Sequence, residues 1–340
     1  MSIGIERKWL YRLLGLGTGL LILVASPVTG QDHLSQLHES KYFTFHSDYW
    51  FNLHHFLHEQ SAGKQSKYLQ RAGEDLIEIG HDSVMQSLPR PDRKILDNAL
   101  EYYRKHLRLS ALSDDRFLAL RTLSPDQPVP EDLQAPVFAR AINQVSPVYR
   151  KYFWPLHHAH NQAVLKEHIQ AIRTLEEHMI GQLEQYAGSE WPRGKVRVDL
   201  TAYGGYYGSY SWLDPLVVAV ISTLDPFIRN LGFIELVFLQ GTTILFSDDS
   251  DLAWMAFDVK QEVASGAAMS DAGGFVGGIH LYLNGRLVQD ALKDLGVEYT
   301  MLLDRWRHLD WMNTPEFVNT VERYYQKRAG LRVTLERLMR

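Results

Sequence analysis

"GFIELVFLQGTTILF", residues 232–246, is the stretch on which the fold turns. It reads as one helix. Phe233, Ile234, Leu236, Val237, Phe238, Leu239, Ile244, Leu245 and Phe246 surround the axis almost completely, the pattern of a helix buried on every side. Directly upstream, "LVVAVIST" (216–223) is a continuous β-branched run of strand length, and "LDPFIRNLG" is a turn. "KVRVDLTAY" (195–203) alternates and reads as a strand. "GGYYGSYSW" (204–212), aromatic and Gly-rich, reads as an edge strand. The expectation is a small sheet placed just before a buried helix.

The flanking chain is helical. "SDYWFNLHHFLHEQ" (47–60) starts on a Ser cap, and residues 65–87 continue as helix. "PDRKILDNALEYYRKHLRL" (91–109) has Pro at its start and an apolar stripe of Ile95, Leu96, Ala99, Tyr102, Tyr103 and Leu107. A long helix is expected from Pro155 to Tyr186, ended by Gly188. Residues 251–265 and the segment from Thr314 onward are helical too. Residues 31–45 read as a loose leader, 124–136 as a Pro-rich loop that marks a candidate subdomain edge, and 270–287 as too Gly-rich to assign. The fold class is mainly α with a small β-sheet, an α+β arrangement, with residues 31–340 as a single domain.

The 340 residues allow an ample core. Apolar residues make up 45% and charged residues 22%, which is ordinary globular composition and excludes a disordered or fibrous chain. The net charge of −5 and the lack of a basic block argue against a nucleic-acid partner. No cysteine is present, which excludes thiolate metal sites, Cys nucleophiles and iron–sulfur clusters. At the N-terminus, Arg7, Lys8 and Arg12 precede the apolar run "LLGLGTGLLILVA" (13–25) and small residues at Val28 and Gly30. This reads as a signal peptide over 1–30 and a periplasmic or secreted mature chain with no stable membrane span after cleavage. An uncleaved anchor is the alternative, although the run is shorter than the roughly 20 residues a span needs.

The blocks "FHSDYWFNLHHFL", "VYRKYFWPLHHAHN", "RVDLTAYGGYYGSY", "VISTLDPF" and "IELVF" resemble a family of secreted bacterial proteins of the gluzincin-like zinc peptidase type. The resemblance implies a zincin-like fold and a zinc-binding His-Glu-x-x-His on the helix after the sheet. Two imidazoles four residues apart share one helix face and one cation, and the Glu between them takes a proton from metal-bound water. Aligned on Phe238, the two ligand positions fall on Leu239 and Thr243 and the general base on Gln240. The third ligand, a carboxylate, maps near Glu262. Leu cannot ligate, Thr ligates poorly, and the Gln amide cannot accept a proton at neutral pH. The resemblance therefore implies a peptidase-like protein without its zinc, a pseudoenzyme with no cofactor. Its remaining role would be to bind a peptide or an envelope partner. Read without the resemblance, the same helix is core. His54, His55, Tyr203, Tyr207, Gln240 and Glu262 are the candidate cleft residues.

A second reading starts from the 15 histidines. His54 and His58 are four apart, and His157 and His160 are three apart, so each pair shares a helix face. Two facing pairs would make a four-His metal site in an active metalloenzyme. Neither pair comes with a spacing that supplies a base, and buried or surface histidines bonded to neighbours satisfy the same pattern. A purely structural helical envelope protein is the third reading. "AGGFVGGIH" (272–280) lacks the Lys and Ser/Thr of a phosphate loop, and no Gly-x-Ser-x-Gly elbow is present. Ligand and oligomeric state are not legible.

Overall fold

The computed structural model describes residues 35–340 apart from 64–65, 67–68, 70–78, 108–114, 133–134, 205–208, 214–217, 226–227, 229–230, 248–249, 264–271, 306–313, 328–331, 333–334 and 337–340. In chain order its elements are β1 (Gln36–Glu39), β2 (Phe43–His46), α1 (Tyr49–Ala62), α2 (His81–Ser87), α3 (Arg90–His106), a 3₁₀ segment (Asp115–Thr122), α4 (Pro136–Tyr152), α5 (Trp154–Ala187), β3 (Val196–Thr201), β4 (Ser209–Trp212) and β5 (Val218–Ser222). Then follow α6 (Gly232–Gly241), a second 3₁₀ segment (Thr243–Phe246), α7 (Asp251–Val263), α8 (Ala272–Asp294), α9 (Leu302–Arg305) and α10 (Pro315–Lys327). The chain is mainly α with one five-stranded sheet of order β1-β2-β3-β5-β4. Strands β2, β3 and β5 run parallel, and β1 and β4 close the two edges antiparallel. No helix among the described residues is long and apolar enough to cross a membrane.

The strand alternation sorts residues onto two faces. Phe43 and Phe45 of β2, Val196, Val198 and Leu200 of β3, and Ala219 and Ile221 of β5 enter the main core with α5, α6 and α8. On the opposite face, β3 places Arg197 and Asp199, and β5 places Val218 and Val220 against Phe51 of α1 and Trp212 of β4. A separate core of Phe56, Tyr103, Phe138, Tyr149, Phe153 and Tyr203 joins α1, α3 and α4.

Several expectations change. Residues 36–46 are not a loose leader but a hairpin, because Phe43 and Phe45 are both fully buried against β3. The cap of α1 is Asp48, not Ser47. The Ser47 hydroxyl accepts from Asn161 Nδ2 at 2.9 Å instead, tying α1's start to α5. The Gly-rich segment forms a regular helix, α8, since Ile279, Leu283 and Val288 pack fully buried in the main core and tertiary packing overrides propensity. Residues 65–80 lie largely outside the described residues, and only His81–Ser87 of the expected helix there is seen. The long helix and its stop at Gly188, in the left-handed region with φ 64, are as expected.

The opening stretch is not one helix. α6 ends at Gly241, and Thr242 turns the chain into a 3₁₀ turn, with its hydroxyl donating to the Phe238 carbonyl at 2.6 Å. Gly241 stands where the helix meets β2. A Cβ there would come within 2.5 Å of Phe43 Cε1. Gly241→Ala is therefore expected to destabilise by about 1–3 kcal/mol through overpacking, although Ala gains roughly 1 kcal/mol of helix propensity. A urea midpoint at or above that of the parent chain would show that Phe43 yields.

Candidate functional site

α6 is enclosed. Phe233, Ile234, Val237 and Phe238 are fully buried, and Leu239 keeps 7% of its surface. Its one acid, Glu235, is buried and held by Tyr299 Oη, which donates at 2.5 Å, and by the Leu302 amide at 2.9 Å. Asn284 Nδ2 of α8 donates to the Glu235 carbonyl at 3.0 Å. Thr242 also accepts from His280 Nε2 at 2.9 Å, since its own proton goes to Phe238. The α6–α8 contact is thus pinned at both ends of α6.

At the aligned positions, the Leu239 side chain lies in the core. Gln240 is half-buried, and its Nε2 donates to Ser209 Oγ of the edge strand β4 at 3.0 Å. The Thr243 hydroxyl donates to the Leu239 carbonyl at 3.0 Å, one turn back. Residues 239, 240 and 243 therefore offer an aliphatic chain, an amide and a hydroxyl committed to backbone. Glu262 belongs to α7, but its side chain is outside the described residues, as is Tyr207. Among the described residues, two surface grooves are lined by other side chains. One of about 630 Å³ is bordered by Arg286, Asp290, Lys293 and Tyr299, and one of about 270 Å³ by Ile95, Tyr102, Val137 and Arg140.

Among the cleft candidates that are described, His54, His55 and Tyr203 are not gathered beside Gln240. Ser209 pairs with Ile221 on the α6 side of the sheet, while Tyr210 pairs with Val220 on the other side. His55 belongs to that other side: its Nε2 meets Tyr210 Oη at 2.7 Å. His54 is turned away to Tyr103, with Nδ1 at 3.0 Å from Oη, and stacks on Phe117 at 3.9 Å between centroids. Tyr203 is buried beside Phe56 and His157. None of the three is on the side of Gln240.

Nor are the four histidines of the second reading brought to one point. His58 sits 3.6 Å from a Glu59 carboxylate oxygen. His157 Nδ1 meets Tyr149 Oη at 3.0 Å, and His160 Nε2 donates to the Thr223 carbonyl at 2.9 Å. Among the described residues no group of three or more His, Asp or Glu is placed to hold a metal ion. Burial drives the rings of His54, His55, His157 and His280 toward neutrality. It pushes His55 down to about 3 and His280 to about 3, and lowers His54 and His157 well below the ordinary value, with neighbouring histidines adding to the effect for His54, His55 and His157.

Two features escape sequence reasoning. Under α1, Arg197 Nε donates to Asp199 Oδ1 at 2.9 Å, its guanidinium also reaches Asp48, and Arg121 lies 3.4 Å from Asp199 Oδ2. Burial raises Asp48 to about 7; Arg197 opposes this and the nearby Asp199 adds to it. Burial also disfavours the charge on Asp199, but Arg197, Arg121 and His46 outweigh it and hold its carboxyl below the ordinary value. The alternation in "KVRVDL" suggests a solvated face for Arg197 and Asp199, and nothing local announces that α1 covers it. The second feature is His81, which opens α2 beside His157 with ring centroids 6.1 Å apart. No spacing links these two residues. No protein-family model, curated protein or solved structure matches the chain.

Proposed function

We propose that this chain is an exported, zincin-like protein without a catalytic zinc centre, which binds an extended peptide or an envelope partner along the edge strand β4. The observation that carries the reading is the Gln240–Ser209 hydrogen bond: it joins the position of the missing general base to the strand that ends the sheet. The edge of a sheet is where an extended segment can add as a further strand, and among the described residues β4 ends the sheet. The side chains at 239, 240 and 243 supply no metal ligand pair and no base, so binding without hydrolysis is the chemistry left to them.

Two measurements test this. On adding an unstructured peptide mixture, backbone amides of residues 209–212 are expected to gain protection in hydrogen exchange, with no cleavage of the peptides. Protection confined to other segments overturns the β4 reading, and cleavage that is lost in Gln240→Ala overturns the pseudoenzyme reading. The combined variant Leu239→His, Gln240→Glu and Thr243→His is expected to hold one more equivalent of zinc than the parent chain. An unchanged metal content, in a variant that folds, counts against the zincin-like frame.

A further inference from the structure

We propose that Asp48 and Asp199 share a single proton beneath α1, and that this proton is a latch: it holds the start of α1 and the β1–β2 hairpin on the sheet and releases them as the pH rises above neutrality. Both acids are buried, Asp48 just ahead of α1 and Asp199 within β3. Both are held by Arg197, and by the same edge of its guanidinium. Nη2 donates to Asp48 Oδ2, and Nε donates to Asp199 Oδ1 at 2.9 Å. Nε and Nη2 are parallel donors that ordinarily take the two oxygens of one carboxylate. Here each takes an oxygen from a different acid, which brings the two carboxyls into hydrogen-bonding contact.

An ionised carboxylate only accepts hydrogen bonds, so this contact needs a proton on one of the pair. Two carboxyls in contact also resist ionising together. The surroundings place the proton on Asp48. Arg121 of the first 3₁₀ segment lies 3.4 Å from Asp199 Oδ2, and His46 of β2 also favours the Asp199 anion. His55 of α1 and Tyr210 of β4 face Asp199 too. Asp48 meets Arg197, which it shares, and Ser35, and burial raises its carboxyl to about 7. Its stabilising contribution is therefore present at low pH and lost as pH rises through that value. Asp199 sits in the central strand of the sheet, whereas Asp48 sits between β2 and α1, and its carbonyl accepts the Asn52 amide in the first turn of α1. Ionising the second carboxyl sets two anions side by side, and the segment that carries Asp48 is the one free to draw away.

The cluster lies on the sheet face away from α6, so the latch stands or falls independently of the proposed binding along β4. The test uses the full chain. Carbon-13 NMR of the aspartate carboxyls is expected to show one that titrates near pH 7, absent in Asp48→Asn and retained in His46→Gln. Hydrogen-exchange protection of amides 43–52, corrected for intrinsic rates, is expected to fall about tenfold from pH 6 to pH 8. In Asp48→Asn it is expected to stay level, because the amide donates to Asp199 in place of the acid. Global unfolding shifts the other way over this range, since the buried neutral histidines gain stability. No aspartate carboxyl titrating above pH 6, a titration that survives in Asp48→Asn, or equal protection of 43–52 at the two pH values overturns the latch. The carboxyl titration of the parent chain decides even where a variant does not fold.

Discussion

Between pH 7 and pH 5 the protein is expected to lose several kcal/mol of stability, well above the range in which ordinary carboxylates titrate. The cause is the set of buried neutral histidines. A group whose folded pKa lies below its unfolded value contributes stability that is present above the unfolded value and lost as pH falls. For His55 and His280 the folded value is about 3 against 6.5, so at pH 5 each removes about 2 kcal/mol. His54 and His157, also lowered well below the ordinary value by burial, act with the same sign. Asp48 acts against them: its raised folded value means stability present at low pH and lost as pH rises through about 7, which returns about 2 kcal/mol on going to pH 5. The histidines outnumber it. Urea midpoints followed by circular dichroism from pH 8 to pH 4 check this. A flat profile above pH 5 rules out neutral burial of these rings, and a sharper fall in Asp48→Asn is expected because the opposing group is gone.

The second large effect separates the two acids under α1. Asp199→Ala is expected to cost about 3–5 kcal/mol, since it leaves Arg197 and Arg121 facing each other in a dry site without their shared counter-charge. Asp48→Asn at pH 6 is expected to cost no more than about 1 kcal/mol. Burial raises Asp48 to about 7, so its carboxyl is expected to hold a proton at that pH, and the amide keeps its shape. Equal losses for the two variants would mean that Asp48 is ionised and shares the anchoring of Arg197 equally. The comparison matters for the fold because this cluster joins the 3₁₀ segment, β3 and the start of α1 on the sheet face that lies away from α6.

The parts of the fold that were legible were those whose pattern is local. The stripe of α3, the 34 residues of α5 with its terminal glycine, and the continuous β-branched run of β5 each carry their own period or stop. Misread parts depend on something distant. Phe43 and Phe45 look like ordinary loop aromatics until β3 is beside them. α8 carries glycines that argue against helix until α6 supplies the surface its apolar side chains fill. The candidate site divides in the same way. The side-chain chemistry of Leu239, Gln240 and Thr243 is written in the sequence. That His54, His55 and Tyr203 stand across the sheet from Gln240 is not, because strand alternation assigns faces only once register and neighbours are set.

What the amino-acid order determined by itself was chemical: a buried helix after a small sheet, carrying an aliphatic chain, an amide and a hydroxyl at 239, 240 and 243, in a chain with no cysteine. What only the tertiary structure decided was company. It placed His157 beside His81 rather than His160, and it brought Arg121 and Asp48 to the strand pair Arg197 and Asp199. It also made Ser209 the partner of Gln240. Side-chain chemistry is a property of each residue, whereas burial, pairing and protonation depend on residues far apart in the chain being folded into contact.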